Sequence, residues 1–178
     1  KGPVDHDVPV LRVESPQGKL WAVAFGYACH NTTLGEYQWC GDYAGYAQQY
    51  VEAAHPGAVA LFFMGCGADA NPLPRRTVEL CQKYGRQLAD GVEAVLKGNL
   101  RPITGDSRSV FDCVELRLDK LPTREELEKQ SQEKAGYLQR RAVMLLKVLH
   151  QRGQFDTTYA YPIQVWQLGP TLTWLALG

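Results

Sequence analysis

His30 has the clearest capacity for chemistry in this chain. It leaves the apolar run Leu20 to Ala28 and enters a polar stretch, Cys29-His30-Asn31-Thr32-Thr33. An imidazole in that place can bind a metal or act as a general base. The plainer alternative is a histidine satisfied at a strand end, because one histidine is not a metal site. A second loop, Met64-Gly65-Cys66-Gly67-Ala68-Asp69-Ala70-Asn71-Pro72, follows another short apolar run. Gly65 and Gly67 let backbone come close to a ligand. Asp69 and Asn71 add a carboxylate and an amide beside it, either for chemistry or for local turn hydrogen bonds. Arg75-Arg76 can clamp an anionic group or open a solvated helix. Cys66, ahead of Cys29, is a candidate thiol nucleophile.

The remaining histidines are not assigned to chemistry. His6 lies in Asp5-His6-Asp7, a ligand-like trio that reads as a solvated approach to an outer strand. His55 and His150 fall near helix ends, where a cation suits the helix dipole. Five cysteines occur without a Cys-x-x-Cys pair, so a structural zinc ribbon is not expected. The odd count leaves at least one thiol unpaired and does not decide the redox compartment.

The elements that must position these loops follow from the hydrophobic spacing. Val8 to Glu14 and Leu20 to Ala28 read as a hairpin around Ser15-Pro16-Gln17-Gly18. After the His30 loop, Asp42 is placed to cap a helix running to about His55, with Tyr46, Tyr50, Val51 and Ala54 on its apolar side. Val59 to Met64 is a short buried strand. Thr77 to Leu96 is a helix closed by Gly98. Ser109 to Leu118 is a strand. Thr123-Arg124-Glu125-Glu126 is a capping box opening a helical region to about His150, broken near Gly136. Thr157 to Leu168 and Thr171 to Leu177 are strands joined at Gly169-Pro170. The order β-β-α-β-α-β-α-α-β-β predicts an α/β fold, a mixed β-sheet flanked by helices. The loops after Ala28 and Met64 then leave the carboxyl ends of strands, where open α/β sheets bind ligands.

Composition narrows the function classes. Lys plus Arg and Asp plus Glu are each 19, so the net charge is zero. No excess basic field draws the chain to nucleic acid, and nucleic acid is not an expected partner. The apolar runs are strand-length, so no transmembrane segment is expected. The 178 residues begin at Lys1 and end on an apolar strand. This reads as a single partial domain over 1–178, an excerpt of a larger catalytic domain.

Taken together, the two loops resemble the neutral/alkaline non-lysosomal ceramidase family, within its N-terminal catalytic domain. Tyr27-Ala28-Cys29-His30-Asn31-Thr32 matches a hydrophobic-Ala-x-His-Pro/Asn-Thr strand end. Gly41-Asp42-Tyr43-Ala44-Gly45-Tyr46-Ala47 is similar to a Ser-x-Asp-x-x-Gly-Tyr-Ala segment. Phe62 to Pro72 matches a strand leading into a glycine-containing loop. The resemblance covers about residues 1–100.

The resemblance implies a zinc cofactor held by two histidines, a glutamate and a tyrosine, with His30 as the second histidine. The other three ligands fall outside this sequence, the glutamate just beyond Leu175-Ala176-Leu177-Gly178. It implies a zinc-dependent hydrolase of ceramide-like N-acyl amide bonds, with Asp69 and Asn71 orienting substrate or water. Asn31, Asp42, Tyr46, Gly65, Gly67 and Arg75 are the implied substrate-binding residues. The partners implied are a small-molecule or lipid amide and the remainder of the same polypeptide. A secreted, periplasmic or membrane-associated location is implied as well. The family serine near the end of the glycine loop is replaced by Ala70, which argues against a serine nucleophile. A non-catalytic relative serving as a binding or structural module is the alternative.

Overall fold

The computed structural model describes residues 2–178. Among them six strands and four helices follow the order expected from the spacing. The fold is mixed α/β. The strands divide between two three-stranded sheets, where the spacing alone suggested one. Contacts group the chain into two compact units, Lys1–Arg101 and Pro102–Gly178.

In the first unit, β1 (Val10–Glu14) pairs antiparallel with β2 (Leu20–Tyr27). The ladder begins at Val10 rather than Val8, because Pro9 has no N–H to give. The Pro9 carbonyl still accepts the Gly26 N–H at 3.0 Å. Gly18 turns the hairpin at φ 80°, and the Ser15 hydroxyl takes the N–H groups of Gln17 and Lys19. β3 (Val59–Met64) lies parallel to β2, with Ala22 beside Val59 and Tyr27 beside Met64. A parallel neighbour requires a crossover, and α1 (Asp42–Ala54) supplies it. α2 (Val78–Leu96) follows β3, its Thr77 cap accepting the Leu80 N–H.

One core holds these pieces together. Val23, Phe25 and Ala60 from the sheet meet Ala44, Ala47 and Val51 of α1 and Cys81, Leu88, Ala89 and Val92 of α2. Ala44, Ala47 and Val51, like Cys81, Leu88 and Val92, are spaced by one or two helical turns, so each helix buries one face. Phe25 is fully buried, and burial of such a side chain is worth about 1.5–3 kcal/mol. Gly85 of α2 packs directly on α1: a β-carbon there would meet Tyr46 Cβ and the Tyr43 carbonyl.

The second unit contains β4 (Ser107–Arg117), α3 (Arg124–Ser131), α4 (Tyr137–Arg152), β5 (Thr158–Leu168) and β6 (Leu172–Leu177). Its sheet is antiparallel, in the order β4-β5-β6. The expected capping box at Thr123 and Glu126 is present in both directions. The helical break falls at Gly136, the N-cap of α4, and Gly153 at φ 76° ends that helix. Leu127, Ala142 and Leu149 form its small core. Pro162 in β5 has no N–H to give, and its carbonyl accepts the Gly178 N–H at 3.0 Å.

Candidate functional site

Because β2 and β3 are parallel neighbours, the loops that leave their carboxyl ends emerge side by side. Backbone bonds then sew them together. The Gly65 N–H reaches Tyr27 O at 3.1 Å, and the His30 N–H reaches Ala70 O at 3.0 Å. The Cys29 thiol also donates to the Ala70 carbonyl, at 3.5 Å. Asn71 Oδ1 accepts from the Thr32 hydroxyl at 3.0 Å and from Arg75 Nη1 at 3.3 Å. Gly67 lies against the backbone of Ala28 and Cys29 with no room for a β-carbon.

His30 is half-buried, and its Nε2 stands 3.0 Å from the Ala68 carbonyl. A carbonyl only accepts, so Nε2 carries a proton, and in the neutral tautomer that keeps this bond the lone pair is on Nδ1. A metal-binding histidine usually donates its other N–H to a carbonyl in this way. His30 therefore fits the role of one zinc ligand through Nδ1. Among the described residues no group of three or more His, Cys, Asp or Glu is arranged to hold a metal. His30 has the donor chemistry, and the further ligands that a zinc site requires do not stand beside it.

Asp42 anchors the loop behind His30. It is 4% exposed. Its Oδ1 accepts the N–H groups of Thr33 and Tyr43 at 3.1 and 2.8 Å, and its Oδ2 accepts that of Leu34 at 2.9 Å. Burial raises its pKa, but these N–H donors outweigh burial and hold the carboxyl below its ordinary value. The spacing predicts a helix cap at Asp42. Instead Gly41 occupies the N-cap, and Asp42, at φ 53°, turns its carboxylate back to the preceding loop. Left-handed backbone is among the conformations Asp tolerates.

Beside the two loops a cleft of about 720 Å³ opens in the first unit. Asp69 and Asn71 line it, while His30, Asn31, Asp42, Tyr46, Gly65, Gly67 and Arg75 do not. Tyr46 instead stacks on Tyr50, ring centroids 6.3 Å apart. Tyr27, Cys29, Tyr43, Cys66 and Tyr84 face the cleft. Their apolar spacing marks several of them as core, and only the fold reveals a wall. Buried Tyr43 donates to the Cys29 carbonyl at 2.7 Å, and burial raises its pKa. Burial also raises the Cys29 thiol, more than the neighbouring Tyr43 hydroxyl lowers it. That makes Cys29 a poor nucleophile.

No protein-family model and no curated protein matches the chain. Solved structures do. One is a ceramidase complexed with C2, with a TM-score of 0.65 and 14% identity over 93% of this chain and 35% of that chain. Another is the neutral ceramidase from Pseudomonas aeruginosa, with a TM-score of 0.63 and 17% identity over 93% of this chain and 33% of that one. The chain thus spans about a third of each. At these identities the likeness is one of fold.

Proposed function

We propose that this chain is part of a zinc-dependent hydrolase of N-acyl amide bonds, ceramide-like in substrate, to which it contributes His30 as one ligand. The observation that carries the reading is the Ala68 carbonyl fixing His30 with Nδ1 free. The ceramidase fold of the neighbouring structures supports it. A zinc ion, when bound, lowers the pKa of a water to about 7 and polarises the carbonyl under attack.

The chain's own residues then bind and orient. Asp69 and Asn71, on the cleft wall, direct substrate or water by hydrogen bonding. Arg75 and the Thr32 hydroxyl hold the Asn71 amide in one orientation. Gly65 and Gly67 keep the second loop flat against the first, and Asp42 fixes the segment after His30 and Asn31. Tyr46 acts at a distance, through the packing of α1. The remainder of the same polypeptide is the proposed source of the other ligands.

The test is the zinc content of the purified full-length protein before and after His30→Ala, with hydrolysis of a fluorogenic N-acyl sphingosine measured in parallel. Loss of zinc together with loss of hydrolysis is expected. Unchanged zinc in the variant rejects the ligand role. Ala70 favours a second reading, a non-catalytic binding module, because its position carries no hydroxyl and its carbonyl already serves His30 and Cys29. Zinc-loaded protein that binds lipid amides without cleaving them would support that reading.

A further inference from the structure

The Asn71 amide has a single orientation. Its Oδ1 is held by Arg75 Nη1 at 3.3 Å and by the Thr32 hydroxyl at 3.0 Å. A guanidinium only donates, so the Asn71 atom that faces it is the carbonyl oxygen. Thr32 and Arg75 stand off the cleft wall, whereas Asn71 lines it. The oxygen is thus drawn away from the cleft. The nitrogen, on the other side of the planar amide, is turned toward it. Among the described residues nothing accepts from Nδ2, so its two N–H groups are open to a ligand.

The other polar side chains of the wall offer no fixed donor. Tyr43 donates to the Cys29 carbonyl at 2.7 Å, and Tyr84 to the Pro74 carbonyl at 2.6 Å. Tyr27 shares its hydroxyl with His6 Nδ1 at 3.4 Å. The Cys29 thiol is taken by the Ala70 carbonyl, and Cys66 has only a weak S–H. Asp5 and Asp69 are carboxylates, which accept. Gln87 is exposed on α2, and no bond among the described residues holds its amide. We propose that Asn71 Nδ2 is the donor that binds the carbonyl oxygen of the N-acyl amide, with Thr32 as the residue that positions it. This rests on the proposed function and gives Asn71 an atom and a direction: it donates to substrate and does not accept from water.

A donor fixed before the ligand arrives needs no reorganisation as negative charge develops on that oxygen during hydrolysis. The same wall sorts ligands by charge. It carries Asp5 and Asp69 and, among the described residues, no Lys or Arg. A neutral carbonyl compound therefore suits it, and a fatty carboxylate, the acid that cleavage releases, is repelled.

Full-length protein, stripped of metal by a chelator, is mixed with an N-acyl sphingosine carrying an isotope-labelled carbonyl. The amide band is read by infrared difference spectroscopy. In the native sequence it is expected at lower frequency than in Asn71→Asp. That substitution keeps an acceptor oxygen for Thr32 and Arg75 and loses the N–H pair, so its melting temperature should stay near native. With metal restored, kcat in Asn71→Asp should fall about 100-fold while KM changes little. Thr32→Val should lower kcat about 10-fold, and Thr32→Ser, which keeps the hydroxyl, should restore it. Gln87→Leu should change neither the band nor kcat. A carbonyl band that is the same in the native protein and Asn71→Asp overturns the proposal. So does a loss of the shift in Gln87→Leu. A native protein that shifts the band but neither holds zinc nor hydrolyses the amide rejects the proposed function while supporting the donor.

Discussion

Gly67 packs so closely on Cys29 that a β-carbon would overlap the Cys29 amide nitrogen and the Ala28 carbonyl carbon. Both obstacles are backbone, and neither can swing aside. Gly67→Ala should therefore destabilise the first unit by about 2–4 kcal/mol, at or above the usual cost of overpacking. Gly26→Ala meets the Phe63 side chain instead, and a ring can shift, so its cost should be smaller. Urea denaturation of the two variants checks the order, and a larger loss at Gly26 would contradict it.

Asp42 holds three backbone amides. Asp42→Ala strands those donors in a buried site, and should cost about 2–4 kcal/mol. It also leaves an alanine at φ 53°, which adds about 1–2 kcal/mol. Asp42→Asn keeps the shape and tolerates that backbone, so it should cost less. Thermal melts of the pair distinguish the two terms.

The same carboxylate predicts an acid dependence. Its folded pKa is below the ordinary value of 3.8. Its contribution is therefore fully present above pH 3.8 and disappears as pH falls through the lowered folded value. Unfolding free energy measured from pH 6 downward should decline more steeply in the native sequence than in Asp42→Asn. Parallel acid limbs would show that the carboxylate does not supply the difference.

Tyr43 closes the wall between α1 and β2 with one buried hydroxyl. Tyr43→Phe leaves the Cys29 carbonyl without its 2.7 Å partner. The expected cost is about 1–2 kcal/mol. The Cys29 thiol should also become less reactive to a small alkylating agent, because the hydroxyl that lowers its pKa is gone. A melting temperature and a thiol-labelling rate test the two effects separately.

His30→Ala should move stability little, by about 1 kcal/mol or less, since the ring is half-buried and gives up one hydrogen bond. The His30 N–H to Ala70 bond belongs to the backbone and survives. Amide exchange at residue 30 should remain protected in the variant. Loss of that protection would mean that the ring holds the loop, not only a ligand.

Much of the fold was legible in order and type. The spacing of Leu20 to Ala28, the Thr123–Glu126 box and Gly153 place elements close to where they occur, because each rests on local backbone chemistry. The division into two sheets was not legible, since strand partners far apart in sequence leave no local signal. Asp42 shows the same limit at a single residue. Its type and position before a helix fit a cap, yet its carboxylate serves Thr33 and Leu34, which only the returning loop brings near.

The sequence by itself determined the candidate loops. A histidine and a glycine-rich, Asp- and Asn-bearing loop each follow a strand-length apolar run, and strand ends are set by local pattern. The tertiary structure alone decided which of these residues meet. Parallel pairing of β2 with β3 brings the His30 and Asn71 loops side by side, fixes the His30 proton on Nε2 through Ala68, and separates Tyr46 from the cleft. Such meetings depend on how helices and strands pack, and packing is a property of the whole core rather than of any one segment.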